Sequence, residues 1–298
     1  MSGHRHDHDR RDHRHLPEGM SMRVLYDGLA FGESPRWHEG RLWVCDWGAQ
    51  ELLSIGPDGA AEVVARVASF PFCIDWLPDG RLLIVSAADQ ALLTLERDGS
   101  LGTYADLSAL APHPPGNEIV ADEHGRAYVN GAGYDPLRGG APAPGIVALV
   151  DGDGRARRVA DELAFPNGMA ITPDGGTLIV AESHAGRLTA FAIDPDGDLR
   201  DRRVWAAVDG SAPDGICVDA EGAVWYADVP NRCCVRVCEG GEVLERIEAD
   251  RGCFACALGG PDGRTLFIVA REWHGMADIS AGNGTGQILC EEVAVGRP

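Results

Sequence analysis

Six segments of this chain follow one pattern: a short strand, a tight turn carrying glycine, then a strand of the form Leu/Ala-x-Val/Ile. They are PRWHEGRLWVCDW, CIDWLPDGRLLIVSAA, IVADEHGRAYVNG, MAITPDGGTLIVAES, ICVDAEGAVWYADV and ALGGPDGRTLFIVARE. The turn glycines are Gly40, Gly80, Gly125, Gly175, Gly222 and Gly263, spaced by 40, 45, 50, 47 and 41 residues. In the Pro-Asp-Gly turns, proline presets φ and glycine supplies φ > 0, so the chain reverses at little steric cost. Further turns at Asp58-Gly59, Asp98-Gly99, Asp151-Gly152 and Asp196-Gly197 punctuate the intervening strands. Units of this length and β chemistry predict an all-β, six-bladed β-propeller with about four antiparallel strands per blade. A sandwich would show the turns without the six-fold period.

A propeller must close its ring. The last repeat offers three strands, at Ala255 to Leu258, Thr265 to Ala270 and Gln287 to Val293, and a strand at Arg23 to Tyr26 is left over. That strand is expected to complete the last blade, so that no sheet edge is left open at the closure. Residues 1–19 hold five of the ten histidines and almost nothing apolar. Such a segment cannot bury enough surface to offset its ordering entropy. The expected organisation is therefore a disordered His-rich tail over 1–19 and one propeller domain over 20–298.

The net charge of −20 argues against nucleic acid or an anionic membrane as partner. No apolar run reaches the roughly 18 residues of a membrane span. The N-terminus lacks an apolar signal core, which predicts a cytoplasmic protein. Nine cysteines, an odd number, argue against a disulfide framework. Cys233, Cys234, Cys238, Cys253 and Cys256 leave a structural zinc site open, beside the plainer reading of small buried strand residues.

With the first strand of each repeat innermost, the residue seven or eight before the turn glycine sits at the channel mouth. Around the ring these are Glu33, Phe72, Asn117, Asn167, Asp214 and either Cys253 or Ala255. Two carboxylates and two carboxamides on one axis form a hard-oxygen site suited to Ca²⁺, Mg²⁺ or Mn²⁺. Asn or Asp before glycine is also a plain turn former; recurrence at one repeat position favours the metal reading. Whatever follows each second strand returns to the same face, so Asp46-Trp47, 87–89, Asn130 to Gly145, Glu182 to His184, 228–231 and 271–274 should wall the pocket. The third is Gly- and Pro-rich and too long for a hairpin, which suggests a lid or rim. Trp47, His184 and Trp273 are the candidate substrate contacts on these segments, with Asn117 and Glu118 at the mouth.

Three motifs then matter together: Gly-Glu-Ser-Pro at Gly32 to Pro35, Asn-Gly-x-Ala-x-x-Pro-Asp-Gly at Asn167 to Gly175, and Pro-Asp-Gly-x-x-x-Asp at Pro213 to Asp219. With them the chain resembles the SMP-30/gluconolactonase/luciferin-regenerating family of six-bladed propellers over about 22–298. The resemblance implies that Glu33, Asn167 and Asp214 bind one divalent cation and that Asn117 touches substrate or a metal-bound water. The chain departs from the family in having Asn117-Glu118 for an Asn-Asp pair. It also has Pro115 where some members carry an Arg for sugar hydroxyls.

The expected activity is hydrolysis of a small lactone or related ester. One divalent ion would polarise the carbonyl (calcium first, with zinc, manganese, magnesium or iron as alternatives), and Asp214 would act as general base. No Gly-x-Ser-x-Gly elbow, P-loop or dinucleotide fingerprint is present. Two rivals are a non-catalytic propeller binding a metal and a small molecule at the same mouth, and a protein-interaction propeller.

Overall fold

The computed structural model describes residues 22–110, 113, 116–136, 138–275 and 284–298. The expected tail over 1–19 and the Pro115 departure lie outside these residues. The described chain forms six four-stranded antiparallel sheets and no helix. The inner strands are β2 (Gly32–His38), β6 (Phe72–Trp76), β10 (Glu118–Ala121), β14 (Pro166–Ile171), β18 (Pro213–Val218) and β22 (Gly252–Gly259). Each lies against the next, and β22 lies against β2, which closes a six-bladed propeller.

The turn chemistry works as the sequence implies. All six turn glycines have positive φ, from 70° at Gly175 to 85° at Gly80. Where an aspartate directly precedes the glycine it accepts a backbone N–H, as Asp79 does from Arg81, Asp174 from Gly176 and Asp262 from Arg264. The second strands β7 (Leu82–Ser86), β19 (Val224–Asp228) and β23 (Thr265–Arg271) are buried along their whole length. Blades stacked on both sides explain this, since such a strand has no solvent face to alternate toward. The outer strand β21 (Val243–Glu248) instead has mostly exposed residues. The core therefore lies between the blades.

Closure follows the expected scheme but uses a longer strand. β1 spans Arg23–Leu29 and pairs antiparallel with β24 (Gly286–Glu292), from Arg23 opposite Cys290 to Leu29 opposite Gly286. Leu25 and Leu29 join a buried cluster with Ile288, Phe267, Leu42 and Val44, so the first and last blades share one core. Removing residues 1–19 should leave the thermal midpoint almost unchanged. Removing residues 1–27 takes most of β1 and exposes the β24 edge. A stably folded protein after the longer deletion, measured by thermal unfolding, would contradict this closure.

All nine cysteines are free, and seven are buried on strands. Among the described residues, no three His, Cys, Asp or Glu side chains come together in a way that could hold a metal. No described helix is long and apolar enough to cross a membrane.

Candidate metal and active site at the channel mouth

The inner strands are irregular where the candidate ligands lie. In β2 the pairing with β3 (Arg41–Asp46) jumps from Glu33 opposite Cys45 to Arg36 opposite Trp43. In β14 it jumps from Pro166 to Met169, leaving Asn167 and Gly168 outside the ladder with β15 (Thr177–Glu182). In β18 it jumps from Pro213 to Ile216, leaving Asp214 and Gly215 outside. An interrupted register re-aims a side chain out of the sheet's alternation. In β6 the register is unbroken, and the equivalent Phe72 is fully buried. The polar mouth residues thus come from blades one, three, four and five, while Cys253 and Ala255 of the sixth are buried and small.

A hydrogen-bond network ties Asn117, Asn167 and Asp214 together. Asn117 Nδ2 donates to Asn167 Oδ1 at 3.4 Å and to the Pro166 carbonyl at 3.3 Å. Asn167 Nδ2 donates to Ser183 Oγ at 3.3 Å, and Ser183 in turn donates to the Pro213 carbonyl at 2.7 Å. The Asn167 carboxamide also bonds the Asp214 carboxylate. Ser183 thereby couples the fourth blade to the fifth. In the sequence it stands out only as one residue of the Glu182 to His184 wall segment.

The electrostatics are those of an uncompensated acidic site. Burial, then Asp214 and Glu118, push the Glu33 carboxyl well above the usual range. Burial, then Glu118, do the same to Asp214, partly offset by the bond from Asn167. Glu118 is also raised by burial, against the pull of Arg36. Arg36 is the cation at hand, and it is already engaged: it bonds Glu118 at 3.0 Å and the Ile119 carbonyl at 2.8 Å and lies 3.9 Å from Asp75. Glu118, a candidate substrate contact, is thus committed to Arg36 and the Ile119 N–H. Glu33 and Asp214 need either protons or another cation. Two carboxylates with a carboxamide beside them fit a hard divalent ion.

This sets the pH dependence. In cation-free protein both carboxyls titrate above their unfolded values of roughly 4. The folded state then holds more protons than the unfolded chain, so stability falls as pH rises from about 4 through the raised values. A cation displaces those protons, so its affinity should rise with pH over the same window. Calorimetric titrations in buffers of different ionisation enthalpy should register proton release at neutral pH. Binding without proton release would contradict the raised carboxyls.

The pocket walls are only partly as expected. Trp47 and Trp273 belong to one aromatic cluster. Trp47 packs on Phe31 at 5.2 Å and Phe70 at 5.3 Å; Phe31 meets Phe254 at 5.1 Å, and Phe254 meets Trp273 at 5.3 Å. His184 stacks on Phe165 at 4.6 Å, with Tyr134 of the long 130–145 segment 6.4 Å away. Burial lowers the His184 pKa, which keeps the ring neutral near pH 7. Phe165 has φ of 59°, a strained value for an aromatic residue, directly before Pro166 and Asn167.

The acids that end the second strands are engaged with backbone N–H groups and neighbouring side chains. Asp46 accepts the N–H groups of Ala30, Phe31, Gly48 and Ala49. Burial opposes ionisation of Glu182, but Arg187, the Ala164 N–H and Thr189 outweigh it and hold that carboxyl below its usual range. Asp228 accepts from the Ala212 N–H and from Asn231. These residues fasten each incoming linker to the blade it enters. Of two surface cavities, one of about 650 Å³ lies against Arg66, Asp89 and Asp106 and contains none of the mouth residues. Another, of about 220 Å³, is lined by Trp273, His274, Arg232 and Arg251 beside the aromatic cluster.

Comparison with known proteins bears on the fold and the family. The chain is 26% identical to pentonolactonase XacC of Haloferax volcanii, across 93% of this chain and 96% of that protein. It is 27% identical to a 6-deoxy-6-sulfogluconolactonase of Pseudomonas putida, across 83% and 85%. A gluconolactonase structure from Xanthomonas campestris superposes with a TM-score of 0.73 at 25% identity, covering 90% of this chain and 88% of that one. Residues 31–272 match the SMP-30/Gluconolactonase/LRE-like region, and with six blades and the motif residues gathered at one mouth, the chain belongs to the SMP-30/gluconolactonase/LRE-like family.

Proposed function

We propose that this protein is a divalent-cation-dependent lactonase that opens a small lactone ring by hydrolysis. The observation that carries this reading is the pair Glu33 and Asp214: two mutually repelling carboxylates, the first buried and the second half-buried, beside the Asn167 carboxamide, in a family with lactonase-named members. A divalent ion bound at this site, calcium first, would supply Lewis-acid polarisation of the lactone carbonyl. Glu33, Asn167 and Asp214 would hold it. Asp214 accepts a proton from the attacking water as the oxygen adds to the carbonyl carbon. Cleavage of the ring C–O bond then releases a hydroxy acid, the leaving oxygen regaining a proton. Asn117 orients the substrate, and its link to Asn167 fixes its direction. Neutral His184 and the cluster holding Trp47 and Trp273 bound the substrate on either side.

The test is a screen of lactones against chelator-stripped and cation-reconstituted protein. Ring opening should depend on the added cation. Glu33→Gln and Asn167→Ala should weaken cation binding, and excess cation should partly restore turnover. Cation binding without turnover of any lactone would mark a non-catalytic binding propeller, and unchanged binding in both variants would place the ion elsewhere.

A further inference from the structure

Asn130 is fully buried at the end of β11 (Ala127–Gly131), opposite Glu118. Two different parts of it hold the two carboxamides of the mouth. Its backbone carbonyl accepts both the Gly116 and the Asn117 N–H at 2.9 Å, which fixes the chain at Asn117 within the third blade. Its side-chain Nδ2 crosses to the fourth blade and donates to the Asn167 carbonyl at 2.6 Å. That carbonyl belongs to the stretch of β14 that has left the ladder with β15, so the sheet does not fix it. The other atom of the carboxamide, Asn130 Oδ1, is buried without a protein hydrogen-bond donor among the described residues. The side chain is therefore only half satisfied by its surroundings, and its bond to Asn167 is the contact that gives it a direction.

We propose that Asn130 is a positioning residue for the divalent cation: its side chain locks the Asn167 peptide, and so aims the Asn167 carboxamide oxygen at the ion. This rests on the cation reading of the mouth. The physical basis is that ligand groups bind tightly when groups behind them remove their freedom; loss of such an outer partner typically costs about 10–100-fold in metal affinity. A half-satisfied buried amide contributes little net stability, because the desolvation of its unpaired oxygen offsets its one good bond. Loss of the side chain should therefore lower cation affinity with little change in fold stability. A residue serving only to hold the blades together would show the reverse.

The sharpest variant is Asn130→Asp. It keeps the shape, replaces the donor with an acceptor facing the Asn167 carbonyl, and adds negative charge near the site. Simple electrostatics predicts tighter cation binding; loss of positioning predicts weaker binding. Ca²⁺ titrated calorimetrically into the chelator-stripped full chain should bind Asn130→Asp and Asn130→Ala at least tenfold more weakly than wild type. The thermal midpoint of the cation-free proteins should shift by no more than a few degrees. Asn130→Ala carries the test alone if Asn130→Asp does not fold. Wild-type affinity in the variants, or a weakening matched by a large drop in the cation-free midpoint, overturns the proposal while leaving the cation site standing. Failure of the wild type itself to bind any divalent ion removes the cation reading and this proposal together.

Discussion

Asp214→Asn is expected to lower lactone turnover by about 10²–10⁴-fold at saturating cation, the usual contribution of a general base. The substitution keeps the size of the side chain and one oxygen that can face the ion. It removes the group that takes the proton. Glu33 and Asn167 are assigned only to holding the cation, so mass action should partly rescue their variants. It should not rescue Asp214→Asn, because the missing function is proton transfer. Turnover of this variant within a few-fold of wild type at saturating cation would reduce Asp214 to a ligand and require another base.

The same residue should set the acid limb of the pH–rate profile. Without a cation, burial and Glu118 hold the Asp214 carboxyl protonated above its usual range, a state in which it cannot accept a proton. A neighbouring positive charge favours the carboxylate and reverses that shift. The base therefore becomes competent only when the ion is bound. Turnover should fall on the acid side as Asp214 takes up a proton and the cation is lost, and more cation should move that limb to lower pH. A limb that does not respond to cation concentration would separate the base from the ion.

The parts legible in the sequence were those written in local chemistry. A glycine at positive φ and a fixed repeat length do not depend on neighbouring blades, so the six sheets and the role of the Arg23 segment could be read before any packing was known. The proposed ligand positions stand out because a repeat exposes a substituted position. What the sequence did not carry is contact between blades. Asn130 and Ser183 act on residues 37 and 30 positions away, on the next inner strand. Strand-end acids such as Asp46 and Glu182 look the same in sequence whether they face a ligand or a backbone N–H. The glycines after Asn167 and Asp214 also invited a turn reading, yet neither has a left-handed φ.

Close approach explains those two glycines, and it sets up a second large effect. A Cβ at Gly168 would lie 2.4 Å from the Asp214 carbonyl oxygen, 2.6 Å from the Ile216 nitrogen and 2.8 Å from the Gly215 Cα. All three are backbone atoms, so no flexible side chain can yield. A Cβ at Gly215 would similarly meet the Ala255 Cα at 2.6 Å. The Asn-Gly and Asp-Gly pairs thus let three inner strands crowd together, which brings Asn167 within reach of Asp214. Gly168→Ala must push β18 away and carry Asp214 with it. The expected cost is about 1–3 kcal/mol of stability, as for other overpacked sites. Cation affinity should fall as well, because two ligands from adjacent blades are forced apart. Gly222→Ala is the matched control: its φ is +80° and nothing lies within 4 Å of the added carbon. Backbone strain there should cost about 1–2 kcal/mol, yet cation affinity should stay at the wild-type level because the turn lies at the far end of the blade. Thermal unfolding and calorimetry on both variants separate the two effects. If Gly168→Ala binds the cation as tightly as Gly222→Ala, the spacing of β14 and β18 does not govern the site.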